Sequence, residues 1–164
     1  MRKIIALTLC LLLLVGLTGC MEAADNVTFY YVRHNDSYTY GQANAVIAGE
    51  YRDVTGHSQD LNYLLTLYFH GPTMEYLRTP FPNGMSLRSV ELVGDTLYVH
   101  TSSSLTLLRG TDLTLACACL AQTCFDLTDE AASVTITADG LSYVSMTLSR
   151  DSIMLMDDTP IPND

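Results

Sequence analysis

Two stretches of this chain repeat their apolar residues at the period of a helix, and that sets the fold class before anything else is considered. Leu61, Leu64, Leu65 and Tyr68 fall at i, i+3, i+4 and i+7; Leu113, Ala116, Cys117, Leu120, Ala121 and Cys124 fall at i, i+3, i+4, i+7, i+8 and i+11. Strand signals surround both. Residues 27–32 are aromatic and β-branched; Val134, Ile136 and Ala138 alternate, as do Val144, Met146 and Leu148. Residues 86–93 and 96–101 are strand-like and flank Gly94-Asp95, a hairpin signal repeated at Asp139-Gly140. A chain with two one-sided helices and several alternating strands must bury each stripe against a sheet. The expected class is α+β: a small mixed β-sheet with two helices packed on one face.

The boundaries follow from local chemistry. Ser58 is placed to cap the first helix, with Asp60 in its first turn, and Gly71-Pro72 ends it, since glycine accepts the left-handed conformation and proline cannot extend the ladder. The second helix is expected to start near Thr111 or Asp112. Residues 33–56 are polar and extended, with a short strand at Ala45-Val46-Ile47 and another run at Glu50-Tyr51-Arg52-Asp53-Val54. Residues 80–84, Pro-Phe-Pro-Asn-Gly, form a turn-rich connector, and residues 153–156 add a last short strand before an acidic tail, residues 157–164. No internal repeat is evident.

The first nineteen residues read as an address. Arg2 and Lys3 precede an apolar run over residues 4–15, and small residues follow, the layout of a secretory signal. The run is too short for a span of about 20 apolar residues crossing roughly 30 Å of hydrocarbon. Leu17-Thr18-Gly19-Cys20 resembles the lipobox of bacterial lipoproteins, in which cleavage before the cysteine leaves a thiol that carries a diacylglycerol. Cys20 is therefore the expected lipid-attachment residue, with palmitate-type acyl chains as the anchor. Met21 follows it, not the aspartate that marks inner-membrane retention in some diderm bacteria, so the expected location is the extracytoplasmic face of the cell membrane, most simply in a Gram-positive cell. Residues 20–25 are a short tether, about 20 Å at full extension to the first strand. The domain then runs over residues 26–156.

Charge narrows the partners. The formal net charge is −10, and without Arg2 and Lys3 six basic residues face eighteen acidic ones, a net of −12. Nucleic acid is excluded as a partner, because there is no basic surface to neutralise phosphates. Anionic lipid would repel such a domain, so attachment depends on the acyl chains. The mature chain has no lysine, which removes Schiff-base chemistry and the phosphate-loop lysine.

The order of a strand, Glu50-Tyr51-Arg52-Asp53-Val54, a helix closing in His70-Gly71-Pro72, then Thr79-Pro80-Phe81-Pro82-Asn83-Gly84 and a two-stranded run resembles the GerM (GerMN) sporulation and spore germination domain family. Gly110, the helix from Asp112 and the strand closing at Asp139-Gly140 continue the pattern, so the resemblance covers about residues 26–140. It implies a non-catalytic extracytoplasmic module, similar to ring-building domains of spore-envelope assemblies. Its expected partners are the membrane through Cys20 and other envelope proteins or further copies of itself. No cofactor is implied.

The sequence offers no catalytic or metal constellation that competes with that reading. Cys117 and Cys124 share a helix face while Cys119 points nearly opposite, so one helix cannot converge all three on a metal; Cys117 and Cys124 read as small buried hydrophobes. Two helical turns, about 10 Å, also separate Cys117 from Cys124, beyond the roughly 7 Å that a disulfide spans. Free thiols outside the cell point to an anaerobic or reducing habitat. His34, His57, His70 and His100 lack any ligand spacing, and no nucleophile elbow is present. No catalytic, cofactor or metal residue is assigned. Tyr30, Tyr31, Tyr38, Tyr40 and Tyr51 crowd one stretch of a chain without tryptophan. Their rings serve as strand residues with amphipathic tips, or else they stack on peptidoglycan sugars, the alternative function.

Overall fold

The computed structural model describes residues 25–34 and 46–152. The signal segment, Cys20, Tyr38, Tyr40, the strand expected at residues 153–156 and the acidic tail lie outside the described residues. Among the described residues, seven strands form two sheets. In the first, β1 (Asn26–Arg33) lies between β2 (Ile47–Asp53) and the two-residue β3 (Leu77–Arg78), antiparallel to both. In the second the order is β4 (Leu87–Val93), β5 (Thr96–Thr101), β6 (Ser133–Ala138), β7 (Leu141–Ser149). It is mixed: β5 and β6 are parallel and the outer pairs antiparallel. Parallel neighbours need a crossover, and the connection carries a 3₁₀ turn (Ser103–Leu107) and a long helix. The class is α+β as expected, with the strands divided between two sheets.

Helix α1 (Leu61–Phe69) buries Leu64, Leu65 and Tyr68 and packs on β4. Its cap is Asp60, whose carboxylate accepts from the Tyr63 N–H at 3.0 Å, and not Ser58. Asp60 directly precedes the first turn, where its side chain reaches the free N–H groups. Ser58 sits two residues further back and donates to Asp25 at 2.9 Å. Gly71 at φ +92° turns the chain out of the helix. The two short runs expected between residues 45 and 54 are one continuous strand, β2, paired along β1 from Ile47 to Asp53.

Helix α2 (Gly110–Leu127) lies against β1, β6 and β7. That placement corrects the expectation for Cys119. The helix is covered on more than its one stripe, so Cys119 is buried as completely as Cys124. The same packing solves a backbone problem on β1. At Tyr30 the strand has no ladder partner on the side away from β2; the Tyr30 N–H donates to Thr123 Oγ1 of α2 at 2.9 Å, and the Tyr30 carbonyl accepts from the Tyr68 hydroxyl of α1 at 2.8 Å. The Tyr31 hydroxyl donates to the Tyr68 carbonyl at 2.9 Å, and the two rings stack at 5.0 Å. Arg150, after β7, closes the other end of α2 by donating to the carbonyls of Phe125, Thr128 and Ala131, each at 3.1 Å, with its guanidinium 4.9 Å from the Phe125 ring centre. The core joins Phe29, Tyr31 and Tyr68 on one side to Leu97, Val99, Leu120 and Ile136 on the other.

Candidate functional site

The conspicuous segments of the sequence, residues 50–54, 70–72 and 79–84, converge around one internal clamp and one groove. β2 alternates, so Glu50 and Arg52 lie on the same face, and the Glu50 side chain is fully buried. Its carboxylate accepts from Arg52 Nε at 3.1 Å, from the Thr73 N–H at 3.0 Å and from the Thr73 hydroxyl. Arg52 in turn donates to the Gly71 carbonyl at 2.8 Å. Burial would raise the Glu50 carboxyl, but the hydrogen bonds from Thr73 and then Arg52 outweigh it, and the group titrates below its ordinary range. The clamp fixes where the chain leaves α1 and so where β3 and the following turn begin.

That turn forms one wall of a groove of about 320 Å³. Pro80, Phe81 and Pro82 face Leu107, Leu108 and Leu115 across it. Thr79, Arg78 from the end of β3 and Asp112 from the first turn of α2 complete the lining. Leu107 is 72% exposed, high for a leucine on a 3₁₀ turn that otherwise anchors Leu105 in the core. A smaller cavity of about 90 Å³ lies between α1 and the start of β4.

The outer face of the second sheet is a plane of hydroxyls. Thr96 meets Ser133 and Thr135 meets Thr147 across the strands, each pair at 2.9 Å, with Tyr98 half-exposed among them. At one corner His100 Nε2 lies 2.9 Å from Asp139 and Nδ1 2.8 Å from the Thr137 hydroxyl, while Arg88 donates to Asp139 at 2.7 Å. A carboxylate only accepts, so Nε2 carries the proton toward Asp139. The hydrogen bond from Arg88 holds the Asp139 carboxyl below its usual range, helped by His100. Neither the groove nor the smaller cavity is lined by these residues.

The other residues singled out by the sequence are scattered. His34 and His70 are exposed, and His57 stacks on Tyr63 at 4.0 Å. Among the described residues no three His, Cys, Asp or Glu side chains are placed to share a metal ion. Cys117, Cys119 and Cys124 are unbonded thiols. Burial pushes Cys117 up to about 11 and Cys119 up to about 12, and Cys124 higher still, so none is a nucleophile at neutral pH. Of the tyrosines, Tyr31 is core, Tyr30 is half-buried with its hydroxyl on Asp126 at 3.2 Å, and Tyr51 is exposed. The groove was missed in the sequence because Arg78 and Asp112 are far apart in the chain and only α2's packing makes them neighbours.

The sequence model of the Germane family, described as sporulation and spore germination, matches residues 28–144. Among solved structures the fold is similar to the tandem GerMN domains of the sporulation protein GerM from Bacillus subtilis, with a TM-score of 0.53 and 17% identity over 85% of this chain. The chain spans 49% of that structure, about half its length. A lipoprotein candidate from Clostridium perfringens has a TM-score of 0.49 and 16% identity, over 82% of this chain and 93% of that one. The first GerMN domain of GerM has a TM-score of 0.47 and 13% identity, over 84% and 96%. No curated protein sequence matches this one significantly.

Proposed function

The chain belongs to the Germane family of sporulation and spore germination domains, and from that membership we propose that it is a lipid-anchored, non-catalytic interaction module of the cell envelope. It acts in sporulation or germination by holding envelope proteins, or copies of itself, near the outer face of the membrane. The observation that carries this reading is the family match across residues 28–144. Three further features support it. The Leu17-Thr18-Gly19-Cys20 motif provides a covalent anchor at Cys20. Among the described residues no helix is long and apolar enough to cross a membrane. The three described thiols are buried and held protonated at neutral pH.

Deleting the gene should impair sporulation, germination or envelope integrity; normal behaviour in all three would refute the reading. Replacing Cys20 by alanine should move the protein out of the membrane fraction, and membrane retention would refute the anchor. Light scattering across a wide concentration range, with reductant present, separates self-association from dependence on another chain.

A further inference from the structure

The groove carries a pair of charges that the rest of the domain does not use. Arg52 is held by Glu50 and the Gly71 carbonyl, Arg88 by Asp139, Arg109 by the carbonyls of Thr106 and Leu108, and Arg150 by three carbonyls around the end of α2. Arg78 differs. It is exposed on the groove and makes no hydrogen bond or ion pair among the described residues. Asp112, on the same groove, is likewise exposed and unbonded, and the two are not paired with each other. Around them the groove is lined by Thr79, two prolines, Phe81 and three leucines.

We propose that this groove binds a short zwitterionic peptide: one that presents a free carboxylate and a free amine, flanking small apolar side chains, as the uncrosslinked stem peptide of the cell wall does. A volume of about 320 Å³ lies at the small end of the roughly 300–1,000 Å³ of ligand sites, enough for a few small residues and too little for a helix. The guanidinium of Arg78 matches a carboxylate with two parallel hydrogen bonds, and Asp112 accepts from an ammonium. A folded partner would need about 1,200 Å² or more of buried surface, well beyond this groove. The inference rests on the extracytoplasmic placement proposed above, because only there does the chain meet wall peptide.

The test is calorimetric titration of the full chain in detergent micelles with the synthetic pentapeptide L-Ala-γ-D-Glu-L-Lys-D-Ala-D-Ala. Arg78→Gln should weaken binding about tenfold, the loss expected for a hydrogen-bonded charge pair. Amidating the peptide's terminal carboxylate should weaken wild-type binding equally and cost Arg78→Gln nothing further. Acetylating the lysyl amine should pair in the same way with Asp112→Asn. Both side chains are exposed and unbonded among the described residues, so the variants should melt like the wild type, which a thermal scan checks. Absence of binding at millimolar peptide overturns the proposal, as does an amidation effect that persists undiminished in Arg78→Gln. Capture of an envelope protein that Arg78→Gln abolishes and the peptide does not compete would assign the groove to a protein partner and also overturn it. The titration needs neither a membrane nor a sporulating cell, so its failure leaves the envelope role standing, and a silent gene deletion leaves peptide binding standing.

Discussion

Glu50 is the residue whose loss should cost this domain most per atom removed. Replacing it by alanine leaves Arg52, whose side chain is only 14% exposed, without its carboxylate, and leaves the Thr73 N–H without an acceptor. Breaking a buried pair by removing one partner costs about 3–5 kcal/mol, against a total stability of about 5–15 kcal/mol for a domain. Glu50→Gln keeps an acceptor for Thr73 and should cost less, about 1–3 kcal/mol. Replacing Glu50 by leucine together with Arg52 by methionine should recover much of the alanine loss, because no charge is then stranded. The contribution also has a pH signature. The folded carboxyl titrates below its ordinary range, so the folded state binds fewer protons than the unfolded chain where Glu50 titrates. Its stabilisation is complete above the unfolded glutamate value of about 4.3 and is lost as pH falls through the lower folded value. Urea unfolding of wild type and Glu50→Gln should therefore show a constant gap from pH 7 down to about pH 5, narrowing only below about pH 4. A Glu50→Ala loss under about 1 kcal/mol, or a gap that widens in acid, would refute the clamp.

The packing of α2 makes further predictions. Thr123→Val removes the acceptor of the Tyr30 N–H and should cost about 1–3 kcal/mol in urea unfolding, while Thr123→Ser stays near wild type. Leu120→Ala, at a fully buried core position, should cost about 2–5 kcal/mol by the same assay. Cys117, Cys119 and Cys124 should be unreactive toward a chromogenic disulfide reagent at pH 8 in the native state and react promptly in denaturant; one fast native thiol would contradict their burial. Gly71→Ala forces a side chain onto φ +92° and should cost about 1–2 kcal/mol, read as a lowered urea midpoint.

Elements set by neighbours in sequence were legible in it. Leu61, Leu64, Leu65 and Tyr68 form a helix stripe because a 3.6-residue turn stacks i+3 and i+4 on i, and three of the four are buried in α1. The alternation at Val134, Ile136 and Ala138 likewise became the inward face of β6. Local rivals were harder to separate. Ser58 and Asp60 can both cap, and the choice turned on one turn's geometry, which placed Ser58 against Asp25. Cys119 looked outward because periodicity counts one stripe, whereas α2 touches β1 as well as β6 and β7. Glu50 and Arg52 stood out in the sequence as part of a motif, yet their partner Thr73 lies on the far side of a helix.

What the sequence determined by itself were the α+β class, most strands, both helices, the acidic balance and the resemblance to germination-type domains, all carried by short-range periodicity and motif order. Tertiary structure alone decided how the strands divide into two sheets, that Tyr30 borrows hydrogen-bond partners from two helices, and that Arg78 and Asp112 line one groove. The reason is physical: a stripe specifies that a face will be buried but not against what. Pairings between distant segments are settled only when the whole core closes and every backbone group within it must find a partner.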